Sequence, residues 1–249
     1  MEHLLIGLTV GIIMGLTGAG GALVSIPLFI YFLDASIKEA TVLSLIAVIF
    51  GTLVNLFDQK HKIDNKVVAL FVIFGALSNY LSLPLKKILP DTAIAGLLFL
   101  IGLCSLWSVW QKKKVIHKEI KPAGPIKSSI IGMGLGLVTT LTGLGGGVLL
   151  VPILISFYGK SYEEALPSSL MTILLISTLS FLFQFKTGIE LITLNQLSLI
   201  GIGALTAFYI LKYSLKKISS HKVENIRKII FSLVTVYSIG SVLIKSIKG

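Results

Sequence analysis

The chain has 249 residues, of which 54% are apolar or aromatic and 13% charged. Soluble domains carry about 25% charged residues, and the stretches 41–57, 67–85, 92–110 and 229–244 contain no Asp, Glu, Lys or Arg. A helix needs roughly 20 apolar residues to cross the hydrocarbon core, so these runs exclude a soluble globular domain and indicate an all-α polytopic membrane protein. The net charge of +11 does not call for nucleic acid. The lysines cluster in loops between apolar segments, as cytoplasmic faces of membrane proteins require. A single cysteine, Cys104, excludes an internal disulfide and reads as a small apolar residue.

The first apolar segment, about 4–33, opens on "MEHLL" without the basic region of a signal peptide. It contains "GLTGAGGALVSIP", with Gly15, Gly18, Gly20, Gly21 and Pro27 within a short stretch. Three further segments follow at about 40–57, 67–89 and 92–110. A polar linker, 111–127, carries six lysines with Pro122 and Pro125 and belongs to water. The remaining segments run about 128–158, 162–185, 194–213 and 226–245, and the first of these contains "TLTGLGGGVLLVP".

A shift of 125 residues lays one part of the chain over the other. Thr17, Gly18, Gly20, Gly21 and Pro27 meet Thr142, Gly143, Gly145, Gly146 and Pro152, and "KEATVLSL" meets "EEALPSSL", pairing Glu39 with Glu164 and Ser44 with Ser169. Later, "LKKI" at 85–88 meets "LKKI" at 215–218. The pattern predicts two duplicated halves, 1–110 and 128–249, each with four apolar segments.

The leading segment of each half is too long for one upright helix, which leaves a bent full crossing or two short helices that dip in and return. Charge favours the second. If all eight segments cross, Lys and Arg divide 12 against 10 between the two sides. If both glycine-broken segments re-enter, 16 fall on one side and 6, Lys38, Lys86, Lys87, Lys186, Lys245 and Lys248, on the other, the bias that the positive-inside rule expects. Three crossings per half also make the halves inverted.

Within a bilayer, non-helical backbone must be buried in protein or line a watery cavity. A helix starting at the break presents free N–H groups and the positive end of its dipole, which attract anions. Thr17, Gly18, Gly20, Gly21 and Ala22, with Thr142, Gly143, Gly145, Gly146 and Gly147, are therefore candidate solute-lining residues, and Pro27 and Pro152 candidate structural helix breaks. Gly7, Gly11 and Gly15, spaced by four, read instead as a close helix-packing face.

No P-loop is present, because Val148 rather than Lys follows Gly147, and Leu23 stands where a dinucleotide fingerprint needs glycine. All eleven acids and all four histidines fall in loops or at segment ends. This disfavours a metal site, a buried carboxylate relay and a cofactor, and leaves an intramembrane protease without a base for its serine. The polar groups at depth are hydroxyls and amides: Ser44, Asn55, Asn79, Ser168, Ser169, Thr172 and Gln184. For most of these hydroxyls a bond back to their own helix is the simpler role; Ser44 and Ser169 stand apart because the repeat pairs them. Lys86 and Lys87 either attract anions to a mouth or snorkel as interfacial anchors, and the anchor role is the simpler one.

The duplicated "GLTGAGGALVSIPLF" and "TLTGLGGGVLLVPIL" resemble the sulfite exporter TauE/SafE family of membrane transporters, over nearly the whole chain. The resemblance implies a multi-pass protein of the plasma (inner) membrane that carries small sulfur-containing anions of the sulfite or sulfonate class, with the two glycine clusters lining the path. An alternating-access anion transporter is the expected function. A passive anion channel and a non-transporting scaffold subunit are the alternatives, and none of the three needs a cofactor.

Overall fold

In the computed structural model the described residues are 21–57, 63–110 and 124–186, with scattered positions before and after them. Among them every regular element of secondary structure in these three stretches is an α-helix: α1 Gly21–Phe32, α2 Ile37–Phe57, α3 Asn65–Ile88, α4 Asp91–Trp110, α5 Pro125–Thr142, α6 Gly147–Tyr158 and α7 Tyr162–Lys186. Three of these are long and apolar enough to cross a membrane, Ile37–Phe57, Asn65–Ile88 and Tyr162–Phe185. The segments expected at 194–213 and 226–245 lie largely outside the described residues.

The helix starts follow from short polar signals. Ser36 caps α2: its backbone N–H donates to Glu39 Oε2 at 2.7 Å, and the Glu39 N–H returns a bond to Ser36 Oγ at 3.3 Å. Ser161 and Glu164 form the same reciprocal cap on α7, at 3.0 and 3.3 Å. A capping box satisfies two N–H groups that the first turn leaves without acceptors. This is the local work of the paired glutamates Glu39 and Glu164. At α5, Gly124 precedes Pro125 in the first helical position, where the missing N–H costs nothing.

Segment 128–158 does not continue through its glycines. It divides into α5 and α6, and the two helices fold back on each other. The Ser128 hydroxyl, near the start of α5, hydrogen-bonds the Tyr158 hydroxyl at the end of α6. The Tyr158 ring meets Phe71 of α3 edge-on, with centroids 5.8 Å apart. Lys160, just past α6, pairs with Asp64, which caps α3 by accepting from the Val67 N–H at 3.3 Å. The Asp64 N–H in turn donates to Ser168 of α7 at 2.9 Å.

The most extensive helix contact joins α3 to α5, and small residues set it. A methyl group on Gly136 would lie 2.1 Å from the Gly75 carbonyl oxygen, and one on Gly132 would lie 3.0 Å from that of Phe71. The backbones therefore touch where any side chain would separate them, as small-residue faces in membranes do. Gly132 and Gly136 carry the packing role read for their counterparts Gly7 and Gly11. Gly7 is buried, while Gly11 and Gly15 lie outside the described residues. Asn79 locks the contact to a third helix: its Nδ2 donates to the Ile176 carbonyl of α7 at 3.1 Å, and its Oδ1 accepts from Thr140 of α5 at 2.7 Å.

Gly136→Ala is expected to lower stability by roughly 1–3 kcal/mol through overpacking. Gly134→Ala, with nothing within 4 Å of the new methyl, is expected to be neutral or to gain up to about 1 kcal/mol of helix propensity. Thermal melting of the two purified variants compares them directly.

The Asp64 carboxyl is raised by partial burial, but the Lys160 hydrogen bond and charge and the Val67 N–H outweigh this and hold it below its ordinary value. Its pairing thus stabilises the fold fully above the unfolded carboxyl value of about 3.9, and the gain is lost as pH falls through the lower folded value. Melting of Asp64→Asn is expected below wild type at neutral pH, with the gap closing in acid.

Candidate functional site

The break between α5 and α6 holds three positions that only glycine occupies cheaply, on either side of Leu144. Gly143, Gly145 and Gly146 all have left-handed φ, at 68°, 66° and 67°, a conformation that costs other residues about 1–2 kcal/mol each. Gly143 ends α5, its N–H bonded to the Thr139 carbonyl at 2.9 Å, and Gly146 precedes the first residue of α6, Gly147. Space is as restrictive as conformation. A methyl on Gly143 would lie 1.9 Å from the Thr41 carbonyl oxygen, and one on Gly145 would lie 2.7 Å from Val48 and 2.8 Å from Ser177 Oγ.

The break is therefore wedged between α2, which supplies Thr41, Ser44 and Val48, and α7, which supplies Ile173 and Ser177. Ser44 fastens it: the hydroxyl lies 2.9 Å from the Gly143 carbonyl, which accepts it, and 2.8 Å from that of Thr41. Thr142 is the last residue of α5; its hydroxyl donates to the Val138 carbonyl at 2.6 Å and accepts from the Leu144 N–H at 3.4 Å.

Two hydroxyls at the break have no hydrogen-bond partner among the described residues: Thr139 Oγ1 and Ser177 Oγ. Both residues are fully buried, at 0% exposure. They stand against the glycines, Ser177 Oγ beside Gly145 and Thr139 Oγ1 3.8 Å from where a Gly146 methyl would lie. Buried polar groups without partners are rare and costly. At the same place the first turn of α6 supplies backbone N–H groups without intrahelical acceptors and the positive end of its dipole. The side chains named at the break are hydroxyls and apolar groups, none of them acidic, and among the described residues no group of three or more His, Cys, Asp or Glu that could hold a metal gathers.

The chain matches the sulfite exporter TauE/SafE family over residues 3–240. It belongs to that family. A "Probable membrane transporter protein" of Haemophilus influenzae is 28% identical over 180 residues, covering 69% of this chain and 67% of the relative. One of the same description from Xylella fastidiosa is 26% identical over 182 residues, covering 69% and 70%. No solved structure matches. The protein is a membrane transporter and not an enzyme.

The other expected site residues of this TauE/SafE family member sort as follows. Gly21 and Ala22 begin α1, while Thr17, Gly18 and Gly20 lie outside the described residues. The Ser169 hydroxyl donates to the Leu166 carbonyl of its own helix at 2.8 Å, as Ser44 does to that of Thr41. Pro27 and Pro152 do not break helices. Each lies inside one, α1 and α6 respectively; upstream of Pro152 the left-handed Gly143, Gly145 and Gly146 already turn the chain. Lys86 does not snorkel. It is 4% exposed, with its ammonium 2.7 Å from Thr41 Oγ1 and 2.6 Å from Gln184 Oε1; Lys87 beside it is exposed.

Thr139, Ser177 and Thr41 escaped the sequence reading because hydroxyls on apolar helices usually bond their own backbone. Only packing of three helices distinguishes these from the rest. Thr139 stands one turn before Gly143, which is the one local signal the sequence offered.

Ser177→Ala and Thr139→Val are expected to melt at or above the wild-type temperature, because each removes a buried hydroxyl without a partner. Gly143→Ala is expected to melt well below it, since the methyl meets the Thr41 carbonyl.

Proposed function

We propose that the protein moves small anions of the sulfite or sulfonate class across the plasma membrane by alternating access, with the solute bound at the glycine break. The observation that carries this reading is the pair of buried hydroxyls, Thr139 and Ser177, that have no partner among the described residues, beside a left-handed glycine turn that opens a helix. An oxyanion has several acceptor oxygens and no donors, which complements hydroxyls and backbone N–H groups. The family description and the relatives' names support transport, and the chemistry of the break selects the anion.

The proposed frame is two inverted halves, each with one re-entrant glycine hairpin and three crossings. Contacts between α5 and α6 support it, since Ser128 and Tyr158 bring both ends of that hairpin together. The Lys160–Asp64 and Lys245–Asp34 pairs also agree with it. If every segment crossed, the members of each pair would fall on opposite sides. The matching capping boxes at Ser36 and Ser161 support the duplication. In this frame Thr17, Gly18, Gly20, Gly21 and Ala22 form the opposing wall of the path. Inverted repeats with broken helices at their interface are a common plan of secondary transporters.

Proteoliposomes loaded with sulfite or a small sulfonate are expected to show saturable flux. Ser177→Ala is expected to cut flux at least tenfold while preserving the fold, and Gly146→Leu to abolish it in a protein that still inserts. Normal flux in both variants removes the break from the path. Flux that rises linearly with concentration, without saturation, assigns a passive channel instead.

A further inference from the structure

Among the described residues, no carboxylate is in ion-pair contact with the buried cation of α3. Lys86 stands in the last turn of α3 and is enclosed by α2 and α7. An ammonium has three donors. Two are used, on Thr41 Oγ1 at 2.7 Å and on Gln184 Oε1 at 2.6 Å. Both acceptors are neutral. Among the described residues the third N–H has no acceptor, and no carboxylate lies within ion-pair distance. Asp91, a near acid, is engaged with Lys38 at 3.9 Å.

The holding contacts are themselves held. Gln184 Nε2 donates to Ser180 Oγ at 3.0 Å, which turns the amide oxygen toward Lys86. The Thr41 hydroxyl donates to the Lys38 carbonyl at 2.7 Å, leaving its lone pairs for the ammonium. Lys86 is thus positioned from α2 and α7 with one donor in reserve. Burying a charge without compensation is expensive, and an anion beside Lys86 would offset that cost and take its third N–H.

Thr41 also ties this cation to the glycine break. Its hydroxyl accepts from Lys86, and the Ser44 hydroxyl sits between its carbonyl oxygen and that of Gly143, at 2.8 and 2.9 Å, sharing one proton with them. The Gly143 backbone rests against that same Thr41 carbonyl. Lys86 and the break therefore share one residue. The sequence repeats the two residue types that build the pocket, with Gln59 at 125 residues before Gln184 and Lys216 at 130 after Lys86.

We propose that Lys86, held by Thr41 and Gln184, is the charge-recognising residue of the transport site and selects a singly charged oxyanion. The inference rests on the anion reading of the break and adds to it the charge of the solute and the residue that reads it. One cation matches one negative charge. A dianion would carry an unmatched charge into the same enclosed place, and a neutral isostere would leave the third N–H without an ionic partner.

The test is melting of the purified full chain against methanesulfonate, hydrogensulfite and acetate as monoanions, ethane-1,2-disulfonate as a dianion and dimethyl sulfone as an uncharged isostere. Ionic strength is held equal with sodium chloride, whose anion is not an oxyanion. At least one monoanion is expected to raise the wild-type melting temperature, and the dianion and the sulfone to do so at least tenfold less effectively by concentration. In Lys86→Met the monoanion response is expected to disappear. Gln184→Glu keeps the lysine and sets a carboxylate within its reach, so it is expected to fold and to lose the response as well, which decides the matter if Lys86→Met fails to fold. A wild-type response retained in either folded variant, or an equal response to dimethyl sulfone, overturns the role of Lys86 while leaving the glycine break as the anion site. No response of the wild type to any monoanion, with no flux in proteoliposomes, overturns the anion reading itself.

Discussion

A helix interrupted inside an apolar environment leaves N–H and C=O groups that lipid cannot satisfy. Everything around Gly143–Gly146 answers that constraint. The left-handed glycines turn the chain within a few residues, and Ser44 takes up the Gly143 carbonyl. The turn is pressed against the Thr41 backbone of α2 so closely that no side chain fits. Because α6 then returns to Ser128, Phe71 and Asp64, the hairpin is closed at its base as well as at its tip. The site exists because the backbone had to be enclosed by other helices there.

Enclosure also explains which glycines do which work. Gly132 and Gly136 are helical and lie at the α3 contact, where they shorten the distance between axes. Gly143, Gly145 and Gly146 are non-helical and set the turn. The first group stabilises by packing. The second stands beside the hydroxyls of Ser177, at Gly145, and Thr139, at Gly146, at a local cost in conformation and in polar atoms without a partner among the described residues. Costs of this kind concentrate where a protein binds something.

Lys86 extends the same logic from dipoles to charge. A backbone turn and two hydroxyls attract an anion weakly and without regard to its charge number; a single enclosed ammonium counts charge. Its position in the last turn of α3, one shared residue from the break, sets it on the approach to the turn. The exposed Lys87 next to it remains an ordinary helix-end lysine, so two adjacent lysines of identical type have opposite environments.

Composition and the spacing of apolar runs were enough to establish a helical membrane protein, because lipid tolerates little else and the runs have crossing length. The second glycine cluster marked the break, since three left-handed positions within four residues disfavour side chains and leave a visible signature at Gly143, Gly145 and Gly146. Capping signals such as Ser36–Glu39 and Ser161–Glu164 were equally local and equally legible. What the sequence could not carry was which polar side chains lose their own-helix partners on packing. Ser169 and Ser177 look alike along the chain, yet Ser169 bonds the Leu166 carbonyl while Ser177 faces Gly145 unpartnered. Lys86 looked like a snorkelling anchor, and it is the approach of α2 and α7, bringing Thr41 and Gln184, that encloses it. Periodicity specifies which face of a helix is apolar, whereas the partner that a hydroxyl or an ammonium meets depends on residues roughly 45 to 100 positions away, which only the tertiary structure brings together.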